Sequence, residues 1–155
     1  MSLEVDLGEF LGAYLAEADE HVAAANAKLL LLERAARAGE NDPRSLRELF
    51  RVLHTVKGLS AMVGVDPIVS LAHAMEAVVR AADRSRAPVA PSAIEILFRA
   101  LEAIAERLAA LGRGDAARPA PPELLERLER AAGIAPAPRS TRAASTLALV
   151  PAIDA

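Results

Sequence analysis

Apolar residues recur at every seventh position through the N-terminal part of the chain, and this spacing constrains the fold more than any other feature. One row consists of Leu11, Ala18, Ala25 and Leu32, and a second of Leu15, Val22, Leu29 and Ala36. Seven residues make nearly two helical turns, so each row stays on one side of a helix that packs lengthwise in a bundle. Aromatic residues make up only 3% of the 155 residues, so good strand formers are scarce. We therefore expect an all-α fold.

Capping residues and glycines divide the first half of the chain into three expected helices. The first spans residues 7–38, with Asp6 as a capping-box N-cap and Gly39 beyond its end. The second opens at Asp42, where proline follows at the first helical position, and ends near residue 63. Gly64 ends that helix, and Asp66 with the following proline starts a third that reaches residue 83.

The second half predicts two more helices and a tail. Ser92 and Glu95 have capping-box spacing for a fourth helix, which the glycines at 112 and 114 end. Residues 123–132 form a short fifth helix. We expect residues 1–132 to be an antiparallel four-helix bundle with this short fifth helix. Residues 133–155, rich in proline and alanine, are expected to be a flexible tail or interdomain linker.

Composition excludes several classes of function. The net charge is −3, which gives no reason to expect nucleic acid or an anionic membrane as a partner. The chain has no cysteine, so disulfides, thiol catalysis and cysteine-based zinc sites are excluded. No apolar run is long enough to span a bilayer, and the first residues lack the pattern of a signal peptide. We expect a cytoplasmic protein.

His54 is the histidine most suited to chemistry. It lies roughly 130° around the second helix from the centre of the apolar stripe, so its ring should be at least partly exposed. Lys57 and Gly58 follow three and four residues later and share its surface. A glycine inside a helix costs about 1 kcal/mol relative to alanine. Either Gly58 clears space for a partner to approach the ring, or it allows two helices to pack closely.

The short turn around Val65 places further polar groups beside His54. The helices on either side should run antiparallel, so residues equidistant from Val65 should lie at the same height. This register sets His54 opposite Glu76 and Lys57 opposite His73. His73 and Glu76 are three residues apart on one face of the third helix. The four side chains should therefore converge.

Such a cluster can make an imidazole nucleophilic. A carboxylate that accepts the Nδ1–H of His54 fixes the tautomer and leaves the Nε2 lone pair pointing outward. It also stabilises the positive charge that develops as the ring attacks an electrophile. Lys57 could neutralise phosphoryl oxygens on the modified ring. The sequence shows no phosphate-binding glycine loop, so the chain should not catalyse much alone.

The stretch from Leu49 to Gly58, LFRVLHTVKG, resembles the phosphorylation motif of histidine-phosphotransfer (Hpt) domains. It is most similar to the N-terminal phosphotransfer domain of CheA-type chemotaxis kinases. Gly64, the Leu-Ala-His triplet that ends at His73, and Glu76 also have CheA-like spacing. The resemblance covers about residues 7–132 and includes the number of helices.

The resemblance implies a role for each residue of the cluster. His54 would be the phosphoacceptor on Nε2, Glu76 would orient it, and Lys57 and His73 would complete the polar network. A CheA-type histidine kinase domain would supply the phosphoryl group from ATP, and the receiver domain of a response regulator would take it. The chain alone would then be a carrier rather than an enzyme and would need no cofactor or metal. Its kinase domain would belong to a longer parent protein or to a partner.

Two alternatives remain open. A metal-binding bundle could use His54, His73 and Glu76, but di-iron bundles need several glutamates, and Lys57 brings a positive charge to the site. The other alternative is a helical protein-docking module without phosphotransfer, in which the cluster is incidental. No sequence feature excludes that module.

Overall fold

The computed structural model describes residues 3–133, which form five helices and no strand. The helices are α1 (Leu3–Arg37), α2 (Pro43–Met62), α3 (Asp66–Ser85), α4 (Pro91–Gly112) and α5 (Pro122–Ala131). The expected all-α class is confirmed. The tail or linker was expected over residues 133–155, and all of it beyond residue 133 lies outside the described residues.

Of the three expected N-caps, one is confirmed and two are wrong. The Asp42 side chain accepts a hydrogen bond from the backbone N–H of Ser45 and caps α2 as expected. The cap expected at Asp6 is wrong, because α1 begins at Leu3 and Asp6 lies inside it. The capping box expected at Ser92 is also wrong. Pro91 already begins α4, and a proline is favourable there because its missing N–H would have had no partner.

Helix ends follow the glycines. Gly39, Gly64 and Gly114 all have positive φ just beyond a helix, which a residue with a side chain rarely adopts. The exception is Arg86, which follows α3 with a φ of 58°. Its carbonyl accepts a hydrogen bond from Asn41 Nδ2 in the loop between α1 and α2.

The first four helices form an antiparallel bundle in which each contacts the next and α4 returns to α1. Two contacts show the direction of α1 against α2: Tyr14 binds Ser60, and Lys28 binds Glu48. As the residue number rises along α1 it falls along α2. The short α5 packs against α3 and α4.

The core lies along the bundle axis and is built from the expected stripes. Both rows of α1 lie in it or pack against it. The apolar side of α2 is fully buried at Leu46, Leu49, Leu53 and Val56. Phe50 packs at the edge of this side and is only partly buried. One side of α2 is thereby fixed against the core and the other faces solvent.

No helix among residues 3–133 is long and apolar enough to cross a membrane.

Candidate functional site

The turn between α2 and α3 sets the register of the site. Gly64, with a φ of 78°, reverses the chain, and the N–H of Val65 bonds back to the carbonyl of Ser60. Residues equidistant from Val65 then meet as expected. His54 bonds Glu76, and further along Arg47 bonds Asp83. The register deduced from the sequence is therefore confirmed at two separate heights.

Glu76 is a buried carboxylate at the centre of the cluster. Only 3% of the residue is exposed, while the His54 side chain is 65% exposed. The His54 Nδ1 lies 3.0 Å from Glu76 Oε2. An ionised carboxylate can only accept, so the ring must donate the Nδ1–H. In the neutral ring the lone pair is then on Nε2. The ring is thus held at the surface by a buried anchor.

Lys57 and His73 complete the surroundings of Glu76. The Lys57 ammonium donates to Glu76 Oε1 at 2.7 Å, and His73 Nδ1 lies 4.0 Å from the same oxygen. Lys57 and His73 were expected opposite each other, and the structure shows that both turn towards the carboxylate between them. A buried carboxylate is costly unless it is paired, and Lys57 provides the opposite charge. The two carboxylate oxygens therefore have separate partners, and Oε2 serves His54.

Gly58 has open space where a side chain would stand. A Cβ built on this residue meets no heavy atom within 4 Å, apart from its chain neighbours and the backbone of its own helix. Close helix packing, one of the two explanations for this glycine, is therefore wrong for the described residues. The free surface lies one helical turn beyond His54.

Phe50 and Arg80 also belong to the site, and the sequence analysis did not assign them to it. The Phe50 ring stacks on the His54 ring, with centroids 6.2 Å apart and planes 11° apart. The Arg80 guanidinium lies over Phe50, 5.0 Å from its centroid. Both residues are 15 positions from Val65, so the register rule that found Glu76 could have found this pair.

The arrangement suits a surface nucleophile. His54 has one nitrogen anchored, one ring face against Phe50 and an exposed side chain that a large partner can reach. Within the described part of the chain no three histidine, aspartate or glutamate side chains are grouped to hold a metal ion. Glu76 is moreover occupied by Lys57 at 2.7 Å. The geometry favours attack by Nε2 on an electrophile that a partner presents.

Comparisons with known proteins identify relatives of this chain. The chemotaxis protein CheA of Bacillus subtilis (strain 168) is 34% identical over 98 residues, which are 63% of this chain and 14% of that protein. The CheA of Listeria monocytogenes is 36% identical over 88 residues, which cover 57% of this chain and 14% of that protein. The chain thus matches only a small part of the length of these relatives.

A solved structure has the same fold. It contains the phosphorylated P1 domain of CheA3 in complex with CheY6 from R. sphaeroides. The match has a TM-score of 0.68 and 25% identity and covers 81% of this chain and 96% of that one. The family model of the Hpt domain matches residues 9–133, which span all of α2 to α5 and most of α1. The chain therefore belongs to the Hpt domain family.

Proposed function

We propose that this chain carries a phosphoryl group on His54 Nε2, from an ATP-dependent histidine kinase domain to an aspartate of a response regulator. The observation that carries the proposal is the hydrogen bond between the exposed His54 ring and the buried Glu76. Because this bond holds the proton on Nδ1, the lone pair of the neutral ring is on the outward Nε2, from which it can attack phosphorus. The P1 domain of CheA3, which has the same fold, is phosphorylated and bound to CheY6.

The first transfer is a displacement at phosphorus. The Nε2 lone pair attacks the γ-phosphorus of ATP, a nitrogen–phosphorus bond forms, and the bond to the bridging oxygen breaks with its electrons leaving on ADP. The ring keeps the Nδ1 proton and becomes positive. Glu76 stabilises that charge through the same 3.0 Å hydrogen bond.

In the second transfer the ring returns from its positive to its neutral form. A carboxylate oxygen of the response regulator attacks phosphorus, and the nitrogen–phosphorus bond breaks with its electrons returning to Nε2. The Lys57 ammonium stays paired with Glu76 at 2.7 Å, while the more exposed His73 completes the network. Gly58 leaves room for both partner domains to approach the ring.

The role of the parent protein follows from the relatives by analogy. Because the chain matches 14% of the CheA of Bacillus subtilis, we place it as one module of a CheA-like chemotaxis kinase. On its own it is a phosphoryl acceptor and carrier. Since ATP is the donor, the transfer takes place in the cytoplasm. Residues 133–155 are proposed to connect this module to the next part of the parent.

Labelling tests the proposal. The chain is incubated with radiolabelled ATP and the kinase domain of Bacillus subtilis CheA, and compared with His54→Gln. We expect acid-labile, base-stable label on the wild type and none on the variant. His21→Gln is the control, because His21 is a histidine on α1 and takes no part in the hydrogen bonds and ion pairs that hold Glu76 in the described structure.

Two results would contradict the proposal. Label that survives in His54→Gln would place the acceptor at another residue. A wild type that takes no label would instead favour a protein-docking module without phosphotransfer.

A further inference from the structure

Five arginines lie together on one side of His54. They are exposed, line two shallow clefts between α2 and α3 that share Arg47 and Asp83, and form what we call the arginine face: Arg47, Arg51, Arg80, Arg84 and Arg86. Among the described residues only Arg47 of this set is paired with a carboxylate, at 3.4 Å from Asp83. The whole chain has a net charge of −3, so this local excess of positive charge is a feature of one face.

The arginine face is continuous with the phosphorylation site. Phe50 lies in the wall of the nearer cleft and stacks on His54, and Arg80 covers Phe50. Arg51 precedes His54 by three residues and so lies on the same side of α2. A protein domain that docks over His54 therefore lies beside the Arg51 and Arg80 guanidinium groups.

The nearer cleft has the chemistry of a site for acidic side chains. Its floor includes Leu46 and Val79, and guanidinium groups stand around the rim. Guanidinium groups bind carboxylates through two parallel hydrogen bonds, and an apolar floor leaves the methylene groups of aspartate or glutamate well packed. A partner surface that carries carboxylates therefore complements both parts of the cleft.

We propose that the arginine face is the docking surface for an acidic patch on the response-regulator domain, an inference that rests on the proposed function. The regulator must bring a carboxylate towards a phosphoryl group that already carries negative charge, and nearby guanidinium groups offset this repulsion. A response regulator is also the partner bound to the solved P1 domain of CheA3, which has the same fold.

The consequence is a salt-dependent encounter. Complementary charge beside a docking site raises the rate of association, and dissolved salt screens the effect. The arginine face should thus govern how readily the regulator finds phosphorylated His54. It should not govern how fast the ring receives its phosphoryl group from the kinase.

Charge reversal tests this separation. Arg51→Glu and Arg84→Glu are compared with Arg99→Glu, a matched control at an exposed position on α4 beside the cleft between α1 and α4. Each phosphorylated chain is mixed with CheY6 of R. sphaeroides, and kcat/KM for phosphoryl transfer is measured from about 50 to about 300 mM sodium chloride.

We expect Arg51→Glu and Arg84→Glu to lower kcat/KM about five-fold to ten-fold at low salt, mainly through KM. The loss should shrink to within about two-fold at high salt, where charges are screened. Arg99→Glu should stay near the wild type throughout. Circular dichroism confirms folding, and Arg51→Glu removes no side-chain contact with Phe50, so a loss there is not a packing effect.

Three results would overturn the inference. Both site variants could transfer at the wild-type rate, the loss could be independent of salt, or only the kinase step could slow, which would assign the surface to the kinase domain. Failure of the proposed function is a different result, because the wild type would then carry no label on His54 at all.

Discussion

At the scale of single residues, the site depends on a carboxylate rather than on the histidine alone. Glu76 is 3% exposed, and its two oxygens hold His54 and Lys57 at 3.0 and 2.7 Å. The fixed hydrogen bond selects the tautomer that leaves Nε2 free. A buried carboxylate without these partners would be strongly unfavourable, so the charge and the ring support each other.

Replacing that carboxylate should slow phosphorylation. In Glu76→Gln the amide keeps the size of the side chain but cannot balance positive charge on the ring as it attacks. We expect phosphorylation by a CheA-type kinase domain to slow about ten-fold or more, judged by the importance of the orienting carboxylate in triads. Initial rates of labelling measure it. Glu48→Gln, which removes a carboxylate from the α1 side of the same helix, should label at the wild-type rate.

At the scale of helices, the two sides of α2 have different roles: one stabilises the core and the other is open to partners. Its inner side is fixed in the core, and its outer side carries His54 and then Gly58. The glycine weakens the helix without relieving any crowding in the described structure. We infer that it is kept open for a partner.

Substitutions at Gly58 should reveal that division. Gly58→Ala should raise the free energy of unfolding by up to about 1 kcal/mol, because a Cβ there meets nothing and alanine favours the helix. Gly58→Leu should keep the fold but lower the rate of phosphoryl transfer more than Gly58→Ala does. Denaturant unfolding and transfer rates measure the two effects.

Gly12 provides the matched control. It lies inside α1 and has the same open space around its Cβ position, but it is far along the chain from the site. Gly12→Ala should stabilise the protein similarly and leave transfer unchanged. If Gly58→Leu transferred as fast as Gly12→Leu, Gly58 would have no part in docking.

A buried hydrogen bond also joins α1 to α2. The Tyr14 hydroxyl lies 2.7 Å from Ser60 Oγ, and both residues are almost fully buried. Burial raises the pKa of Tyr14 above its ordinary value of 10.0; the bond to Ser60 lowers it by less, and Asp19 raises it further. The neutral phenol is therefore favoured in the folded state.

The raised pKa predicts a loss of stability in alkali. Below about pH 10 neither the folded nor the unfolded chain ionises Tyr14, so its full contribution is present. As the pH rises towards the pKa of the folded state, the unfolded chain loses the proton first and the free energy of unfolding falls. Denaturant unfolding at several pH values should show a smaller alkaline fall in Tyr14→Phe than in the wild type.

The ionisation of Tyr14 can be measured directly by absorbance. Tyr14 is the only tyrosine and the chain has no tryptophan, so phenolate absorbance reports this residue alone. A midpoint at or below 10 in the folded protein would contradict the prediction.

At the scale of the whole molecule, one buried arginine links α4 to the segment that leads to α5. Arg107 on α4 donates to the carbonyls of Arg118 and Pro119, in the segment that leads to α5, and to Ala103. Buried arginine is rare without partners, and here three backbone oxygens satisfy it. It positions α5, which covers α3 and α4.

Removing that arginine should loosen this end of the bundle. We expect Arg107→Met to lower the free energy of unfolding by about 2–3 kcal/mol, because carbonyls lose charged donors in a partly buried place. Arg113→Met is the control, since Arg113 is exposed and paired only with exposed Asp115. Equal stability of the two variants in denaturant would show that Arg107 does not hold α5.

The sequence predicted the helices and the site by two different kinds of regularity. Heptad spacing indicated the first helix, and capping residues, Asp-Pro pairs and glycines divided the chain into its helices, while equal distances from Val65 located Glu76 opposite His54. The errors at Asp6 and Ser92 arose because a capping residue marks a possible helix start, whereas helix continues wherever the backbone remains compatible with it. Arg107 was missed because its acceptors are backbone carbonyls, which have no signature in the sequence.

The most direct test of the whole account is to locate the phosphoryl group on the ring. The chain, with isotopically labelled histidine, is phosphorylated by a CheA-type kinase domain, and nitrogen–phosphorus and nitrogen–hydrogen couplings of His54 are recorded by NMR. The account predicts phosphorus on Nε2 and a retained proton on Nδ1, facing Glu76. Phosphorus on Nδ1, or on any residue other than His54, would contradict it.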